Sequence, residues 1–330
     1  MPNPPVSASV AKAVPQAQGV GSTPEEIIQA HDGYWSEFLP GLEARAAKGL
    51  SPGEMAEAVR SFEWGYNGFI NPPIRERIPR LDFGEFADRP APQRLAVEDG
   101  RYVALEHSQD YGVVFDLLRS MVTPDVDCVV EFGSGLGANL ARLRASLPDR
   151  FPTYMACEPA EGGRRAARLM FANDTAVRLE AHAFDYHQPD LGVLDRFRRV
   201  VAFTSHSIEQ IPILGDAFYD SLLAAPVVSC LHWEPFGWQR FSNLSDLVAR
   251  CRQDREAWVE FHRSFVYRLE DQYLQTNAAA WSSMLDYNTD LLKQVSRRSE
   301  EGRVMLTALG YDLEGVNPFN PSSLVAWRRP

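Results

Sequence analysis

Residues 127–139 read Asp-Cys-Val-Val-Glu-Phe-Gly-Ser-Gly-Leu-Gly-Ala-Asn, and this stretch decides the fold. An apolar run at 128–130 leads into Glu131, and three glycines follow at alternate positions. β-Branched residues that end in a turn signal are typical of a buried parallel strand. Glycines at such a point let the backbone turn tightly and approach a ligand where a Cβ would collide. The residues after Asn139 have a helical pattern. The sequence therefore predicts a strand, a glycine turn and a helix, the unit that binds nucleotides in doubly wound sheets.

Four more apolar runs follow this unit, and each ends in polar residues. They lie at 154–157, 177–184, 199–204 and 227–231. Glu158 ends the first of them, about twenty residues past the glycines, which is the interval at which such folds place an acid on ribose hydroxyls. Five strand-like runs of this kind predict an α/β fold with a doubly wound, mostly parallel sheet.

The spacing E-x-G-x-G-x-G differs from the G-x-G-x-x-G of dinucleotide-binding folds. It resembles motif I of the class I S-adenosylmethionine-dependent methyltransferases. The resemblance implies a seven-stranded sheet, S-adenosylmethionine as cofactor and S-adenosylhomocysteine as product. It also implies a contact between Glu131 and the methionine amino group, and an adenine site at 185–186. The implied cofactor-binding residues are Glu131, Gly133, Ser134, Gly135, Gly137, Asn139, Glu158, Pro159, Asp185, Tyr186 and Thr204. A glycine turn that serves packing alone and a Rossmann dehydrogenase are the alternative interpretations.

Composition limits the classes of partner. The chain has 330 residues, 45% of them apolar, and a formal net charge of −11. A negative charge of this size disfavours nucleic acid as a substrate, because phosphate binding needs a concentrated positive surface. No apolar run approaches the roughly 18 residues that span a bilayer. The start of the sequence lacks a secretory pattern, and the four cysteines lack metal-ligand spacing. We expect a cytoplasmic protein with free packing cysteines, no metal site and no membrane partner.

Composition and periodicity along the chain predict five segments. Helix-start signals at Thr23 and Ser51 indicate helices before the core. Aromatic and aliphatic residues after the fifth strand keep helical spacing and predict an insertion beside the substrate mouth. The last run predicts the antiparallel final strand pair that the resembled fold requires. The predicted segments are a disordered tail (1–22), a helical extension or lid (23–105), the cofactor-binding core (106–240), a helical insertion that serves as substrate cap or dimer contact (241–300) and the final strand pair (301–330).

Polar side chains after the fourth and fifth strands are the candidates for chemistry on the acceptor. His206 and His232 are candidate general bases, because an unperturbed imidazole titrates near neutral pH. Glu209 and Glu234 could together hold a cationic amine or guanidinium through bidentate hydrogen bonds. Each histidine could instead be an ordinary hydrogen-bonded residue, and each acid could cap a turn or pair with a neighbour such as Arg240.

These candidates predict methylation of a small polar metabolite, at the nitrogen of an amine or guanidino compound such as a free amino acid. The glutamates are loosely similar to the pair after strand four of arginine methyltransferases. Residues 205–212 hold only one glutamate, however, so a protein-arginine methyltransferase is not expected. O-Methylation of a sugar or natural-product hydroxyl with a histidine base is the first alternative. A non-catalytic binding or dimerisation module is the second, and a homodimer is compatible with each reading.

Overall fold

The computed structural model describes residues 23–66, 80–86, 94–105 and 111–330. The helices are α1 (Pro24–Ala46), α2 (Pro52–Tyr66), α3 (Gly112–Met121), α4 (Ala138–Ser146), α5 (Glu161–Met170), α6 (Ala217–Ala224), α7 (Ser242–Gln253), α8 (Arg255–Ser264), α9 (Leu274–Leu285) and α10 (Leu291–Glu300). The strands are β1 (Leu81–Asp82), β2 (Arg94–Glu98), β3 (Arg101–Leu105), β4 (Cys128–Phe132), β5 (Thr153–Cys157), β6 (Leu179–His182), β7 (Val200–Ser205), β8 (Val227–Glu234), β9 (Tyr267–Arg268), β10 (Met305–Gly315) and β11 (Ser322–Arg328). The predicted tail at 1–22 lies outside the described residues.

A central sheet joins the strands in the order β3-β2-β10-β11-β8-β7-β4-β5-β6. The five strands predicted from sequence, β4 to β8, pair in parallel. The chain runs from β4 outward through β5 to β6, then returns to the other side of β4 for β7 and β8. Strand β11 pairs antiparallel with both β8 and β10. The prediction of a doubly wound, mostly parallel sheet with an antiparallel final pair is confirmed by this order.

Two strands of this sheet were not predicted from the sequence. Strands β2 and β3 form an antiparallel hairpin that extends the sheet beyond β10, where Glu98 pairs with Glu314. The hairpin turn is Asp99-Gly100, and both residues have positive φ, 46° and 74°. An Asp-Gly pair with this backbone is a strong signal for a two-residue hairpin. The segment 23–105 thus contains the two helices expected from the signals at Thr23 and Ser51, together with a hairpin that the sequence did not predict.

Successive side chains of the buried strands point to opposite faces of the sheet, so the core has two layers. In β4, Val129 faces the layer that contains α1 to α5, and Val130 faces the layer of α6 and α10. The strand is buried on both faces, as a parallel strand covered by helices requires. The prediction of free packing cysteines is confirmed, since all four are unpaired and buried.

The region predicted as a helical insertion, 241–300, divides between two environments. Helix α10 packs with the sheet through Leu291 and Val295, so it belongs to the core. Helices α7 to α9 pack mainly among themselves and with the β2–β3 side. The continuous helical spacing of the sequence is broken at Asp254, which has extended backbone and caps α8 by accepting from the backbone N–H of Glu256.

We expect alanine at Gly137 to destabilise the protein more than alanine at Gly49. Both glycines have left-handed backbone, φ 76° and 81°. A Cβ on Gly137 would lie 2.9 Å from the Cβ of Ala167, whereas one on Gly49 would meet open space. Gly49→Ala should lower the free energy of unfolding by about 1 kcal/mol through backbone strain alone. Gly137→Ala should lower it by a further 1–3 kcal/mol or so through overpacking. Urea denaturation measures both, and equal losses would contradict the close contact.

Candidate functional site

The glycine turn after β4 is packed by neighbouring protein groups. A Cβ on Gly133 would overlap the side chain of Ser207, in the loop after β7. A Cβ on Gly135 would lie 3.0 Å from the indole ring of Trp35 in α1. All three glycines also have positive φ. Close packing alone therefore accounts for the glycine spacing, and evidence for a ligand must come from the polar groups around the turn.

Glu131 is the first such group. Its side chain is 1% exposed, and its Oε1 accepts a hydrogen bond from Asn139 Nδ2 at 2.9 Å. Its Oε2 and the hydroxyl of buried Ser134 have no hydrogen-bond partner. Burial raises the pKa of Glu131 to about 8, although the Asn139 hydrogen bond opposes this. Unpaired buried polar atoms are rare in native proteins. Two of them at this turn indicate a place for a ligand with polar hydrogen atoms.

Glu158 connects the ends of β4 and β5. Its Oε2 accepts from the backbone N–H of Gly135 at 2.9 Å, and its Oε1 accepts from that of Ala160 at 3.0 Å. Burial raises its pKa to about 7. Each carboxylate oxygen can accept a further hydrogen bond. The position is thus compatible with the predicted ribose contact.

The two predicted adenine contacts, Asp185 and Tyr186, have different environments in the structure. Asp185 is partly exposed, and its Oδ1 accepts from the backbone N–H of His187 at 2.8 Å. Pro159 is also partly exposed, beside Glu158. Tyr186 is buried against Phe184 and donates its hydroxyl to the carbonyl of Phe132 at 3.0 Å. The side chain of Tyr186 therefore supports the glycine turn from the core, and its role as a cofactor contact stays a prediction.

His232 and Thr204 are core residues, and both site assignments are corrected. They are neighbours in the β7–β8 register, and each is 0% exposed. Trp327 donates its indole N–H to His232 Nε2 at 3.4 Å. Because an indole N–H can only donate, Nδ1 carries the ring proton and donates to Thr204 Oγ1 at 3.1 Å. Burial lowers the pKa of His232 to about 3. Its ring stays neutral and has no access to an acceptor.

His206, unlike His232, is partly exposed. It follows β7, and its side chain is 35% exposed. Its Nδ1 lies 3.0 Å from Glu209 Oε2, and its Nε2 lies 2.6 Å from the hydroxyl of Ser322. Asn320 donates its Nδ2 to the same oxygen of Glu209 at 2.9 Å. His206 has a φ of 50°, the left-handed region that side chains with a Cβ rarely adopt. Strained backbone of this kind concentrates at functional sites.

Glu234 serves a different purpose from the one predicted. Its carboxylate accepts from the backbone N–H groups of Ser207, Ile208 and Glu209 at 3.1–3.2 Å. It is 1% exposed, and burial together with the charge of Glu209 raises its pKa to about 7. The carboxylate therefore caps the 3₁₀ turn that presents Glu209. The predicted paired-carboxylate clamp for a guanidinium is not formed.

Sequence reasoning missed three partners of this site. Ser207 donates its hydroxyl to Phe132 O at 2.9 Å and so joins the loop after β7 to the glycine turn. Asn320 comes from the turn between β10 and β11, and Ser322 is the first residue of β11. Neither carries a local signal for function. They reach His206 and Glu209 because β11 lies next to β8 in the sheet.

The residues around the glycine turn fit S-adenosylmethionine. The unpaired Glu131 Oε2 and Ser134 hydroxyl suit the polar end of an amino acid, and Glu158 suits a ribose.

In the described ranges, no three His, Cys, Asp or Glu side chains are grouped so that they could hold a metal ion. Among the same residues, no helix combines the length and apolar character needed to cross a membrane.

Comparison with known proteins finds similarity in solved structures only. No family model and no curated protein matches the chain. LepI, solved in complex with S-adenosylmethionine, is 11% identical, with 66% of this chain and 46% of LepI covered and a TM-score of 0.38. NcsB1, an O-methyltransferase from neocarzinostatin biosynthesis, is 11% identical over 64% and 52% of the two chains, with a TM-score of 0.36. A protein of Rhodobacter sphaeroides described as a zinc-dependent alcohol dehydrogenase is 13% identical over 68% and 91%, with a TM-score of 0.39.

The chain spans about half the length of LepI and NcsB1. Their identities and TM-scores are too low to bear on activity, and the proteins matched differ in function. The fold assignment rests on the strand order and pairing of the sheet itself, and the function must be argued from the side chains of the site.

The contribution of Glu131 to the stability of the ligand-free protein should fall as pH rises from about 5 to about 8. The pKa of Glu131 is about 8 in the folded chain and 4.5 ordinarily, so the native state keeps a proton that the unfolded state releases. The stability that the neutral carboxyl contributes is present below the ordinary pKa and is lost as pH approaches 8. Glu131→Gln should reduce this loss. Urea denaturation across the range measures it, with the exposed Glu300→Gln as control. Equal slopes for wild type and Glu131→Gln would contradict the prediction.

Proposed function

We propose that this chain transfers the methyl group of S-adenosylmethionine to a hydroxyl oxygen of a small polar acceptor, with His206 as the general base. The observation that carries the proposal is the 3.0 Å hydrogen bond between His206 Nδ1 and Glu209 Oε2. A carboxylate on one ring nitrogen orients the imidazole and stabilises the charge that it gains as a base. His206 is also the partly exposed member of this network, since Glu209 is buried.

The cofactor half of the site consists of the glycine turn, Glu131 and Glu158. The unpaired Oε2 of Glu131 would accept from the methionine amino group, and Glu158 would accept from ribose hydroxyls while keeping its bonds to Gly135 and Ala160. The bound cofactor supplies an electrophilic methyl group on a sulfonium. Alignment of the two reactants can lower the barrier by about 7–11 kcal/mol. The protein therefore needs to position both molecules and to accept one proton.

The proton moves to His206. Because Glu209 accepts the Nδ1 proton, the lone pair of the neutral ring is on Nε2. Nε2 accepts the hydroxyl proton of Ser322 in this structure and would accept that of the substrate in the reaction. S-Adenosylmethionine held by Glu131, Ser134 and Glu158 would supply the methyl group for the acceptor oxygen, and S-adenosylhomocysteine would be the product. The imidazolium stays paired with Glu209 until the proton passes to water.

N-Methylation of an amine is the second candidate. Glu209 and Glu234 are close enough for the charge of Glu209 to raise the pKa of Glu234. This end of the site therefore favours a cation. The guanidinium clamp loses its support, because Glu234 is occupied by backbone N–H groups. A single carboxylate, Glu209, would have to bind the amine, and His206 would again accept the proton.

Binding of S-adenosylhomocysteine tests the cofactor half. Glu158→Ala should weaken the affinity by about 1.5–3 kcal/mol, or roughly 10-fold to 150-fold, because a hydrogen bond to a charged group is lost. Isothermal titration calorimetry measures the change. Glu161→Ala is the matched control, since Glu161 is a nearby exposed acid that pairs with Arg164 and Arg168. The loss of affinity should be confined to Glu158→Ala. A wild-type protein that does not bind S-adenosylhomocysteine would refute the cofactor assignment.

Turnover of hydroxyl and amine acceptors tests the base. Candidate acceptors are screened by mass spectrometry for a gain of about 14 Da. His206→Asn is the variant of choice, because asparagine tolerates the left-handed backbone at this position. We expect it to bind S-adenosylhomocysteine normally and to lose about 10²-fold to 10⁴-fold in rate. His232→Asn should reduce stability through the core without removing a pH-dependent limb of the rate. Undiminished turnover by His206→Asn would exclude His206 as the base.

A further inference from the structure

The first two turns of α1 extend over the carboxyl edge of the sheet. Helix α1 runs alongside α5 in the same direction: Asp32 accepts from the backbone N–H of Gly162 at the start of α5, at 2.6 Å, and Asn173 donates to Ala46 O beyond its end, at 2.8 Å. The start of α5 lies at the carboxyl edge because it follows β5 directly. The residues of α1 before Asp32 therefore project past α5, on the side where the strands present the site.

Trp35 fixes which face of α1 is turned toward the site. Its indole ring would lie 3.0 Å from a Cβ on Gly135 and 3.2 Å from one on Gly163. A Cβ on Gly163 would also lie 2.7 Å from Cγ of Glu158. The indole is thus placed between the glycine turn and the start of α5, next to the carboxylate assigned to the ribose. Any ligand held by Glu158 and the turn would be near this ring.

His31 extends the same face toward the acceptor end. It lies four residues before Trp35, which is one helical turn, and the two rings are 6.2 Å apart. Its Nδ1 contacts Ile27 O at 2.8 Å, and this bond leaves Nε2 to face away from its own helix. Burial lowers the pKa of His31, while the charge of Glu209 raises it, so the imidazole lies within electrostatic range of the His206–Glu209 pair.

We propose that this face of α1 is the outer wall of the site, with Trp35 in contact with the bound nucleoside. The inference rests on the proposed function, because it names new residues of the same site. With α1 docked, Glu131 and Glu158 are 1% and 5% exposed.

Calorimetric titration of S-adenosylhomocysteine into the full chain tests the wall. Trp35→Ala should raise the Kd at least tenfold, and Trp35→Phe should retain more affinity than Trp35→Ala because it keeps an aromatic ring. Phe38→Ala is the matched control: Phe38 packs against the core from the next turn of α1, with its ring 6.3 Å from that of Trp35. It should lower the Tm yet leave the Kd within twofold. His31→Ala should also leave the Kd within twofold, since His31 lies one helical turn before Trp35, with its ring 6.2 Å from the indole.

A Kd for Trp35→Ala that matches or falls below the wild-type value would overturn the inference while leaving the cofactor assignment intact. Failure of the wild type to bind would refute the proposed function itself. Hydrogen exchange on the wild type decides the case if Trp35→Ala does not fold. Amides at 24–36 should gain protection when S-adenosylhomocysteine is added, and unchanged exchange there would overturn the inference.

Discussion

The site depends on the hydrogen bonds that tie the loop after β7 to the glycine turn. Ser207 and Tyr186 both donate their hydroxyls to the carbonyl of Phe132, at 2.9 and 3.0 Å. Glu234 holds the same loop from the other side by accepting from consecutive backbone N–H groups. A carboxylate that accepts several N–H bonds fixes a turn strongly. These hydrogen bonds join the loop after β7, which carries His206, to the glycine turn.

Three buried carboxylates lie at this edge of the sheet. Burial raises the pKa of Glu131, Glu158 and Glu234 to about 8, 7 and 7. Burying an acid without full compensation destabilises the fold. The three acids differ in how far they are compensated. Glu234 and Glu158 accept backbone hydrogen bonds on both oxygens, whereas Glu131 keeps one oxygen unpaired. A ligand that donates a hydrogen bond would pair with the unpaired oxygen of Glu131. Part of the free energy lost by burying this acid would then be recovered when the ligand binds.

The acceptor end draws its residues from distant parts of the chain. His206 and Glu209 follow β7, Asn320 comes from the turn before β11, and Ser322 is the first residue of β11. These segments meet because β11 inserts antiparallel beside β8, which places a late turn next to an early loop. Chemistry on the acceptor is therefore assembled by topology rather than by any local motif.

The sequence by itself determined the doubly wound sheet, the glycine turn and the placement of Glu131 and Glu158 at strand ends. These features are local, because apolar runs, glycines and acids at fixed intervals report directly on strand, turn and strand end. Only the tertiary structure distinguished the two candidate bases, because it shows that His206 is partly exposed and that His232 is buried. His232 lies within β8, where alternation turns its ring into the core beside Thr204. His206 lies just past β7 in left-handed backbone, so alternation no longer governs its ring. The roles of Glu234 and Trp35 also became visible only in the tertiary structure. Glu234 accepts from backbone N–H groups of a loop that is distant in sequence, and Trp35 packs on a glycine turn that is distant in sequence.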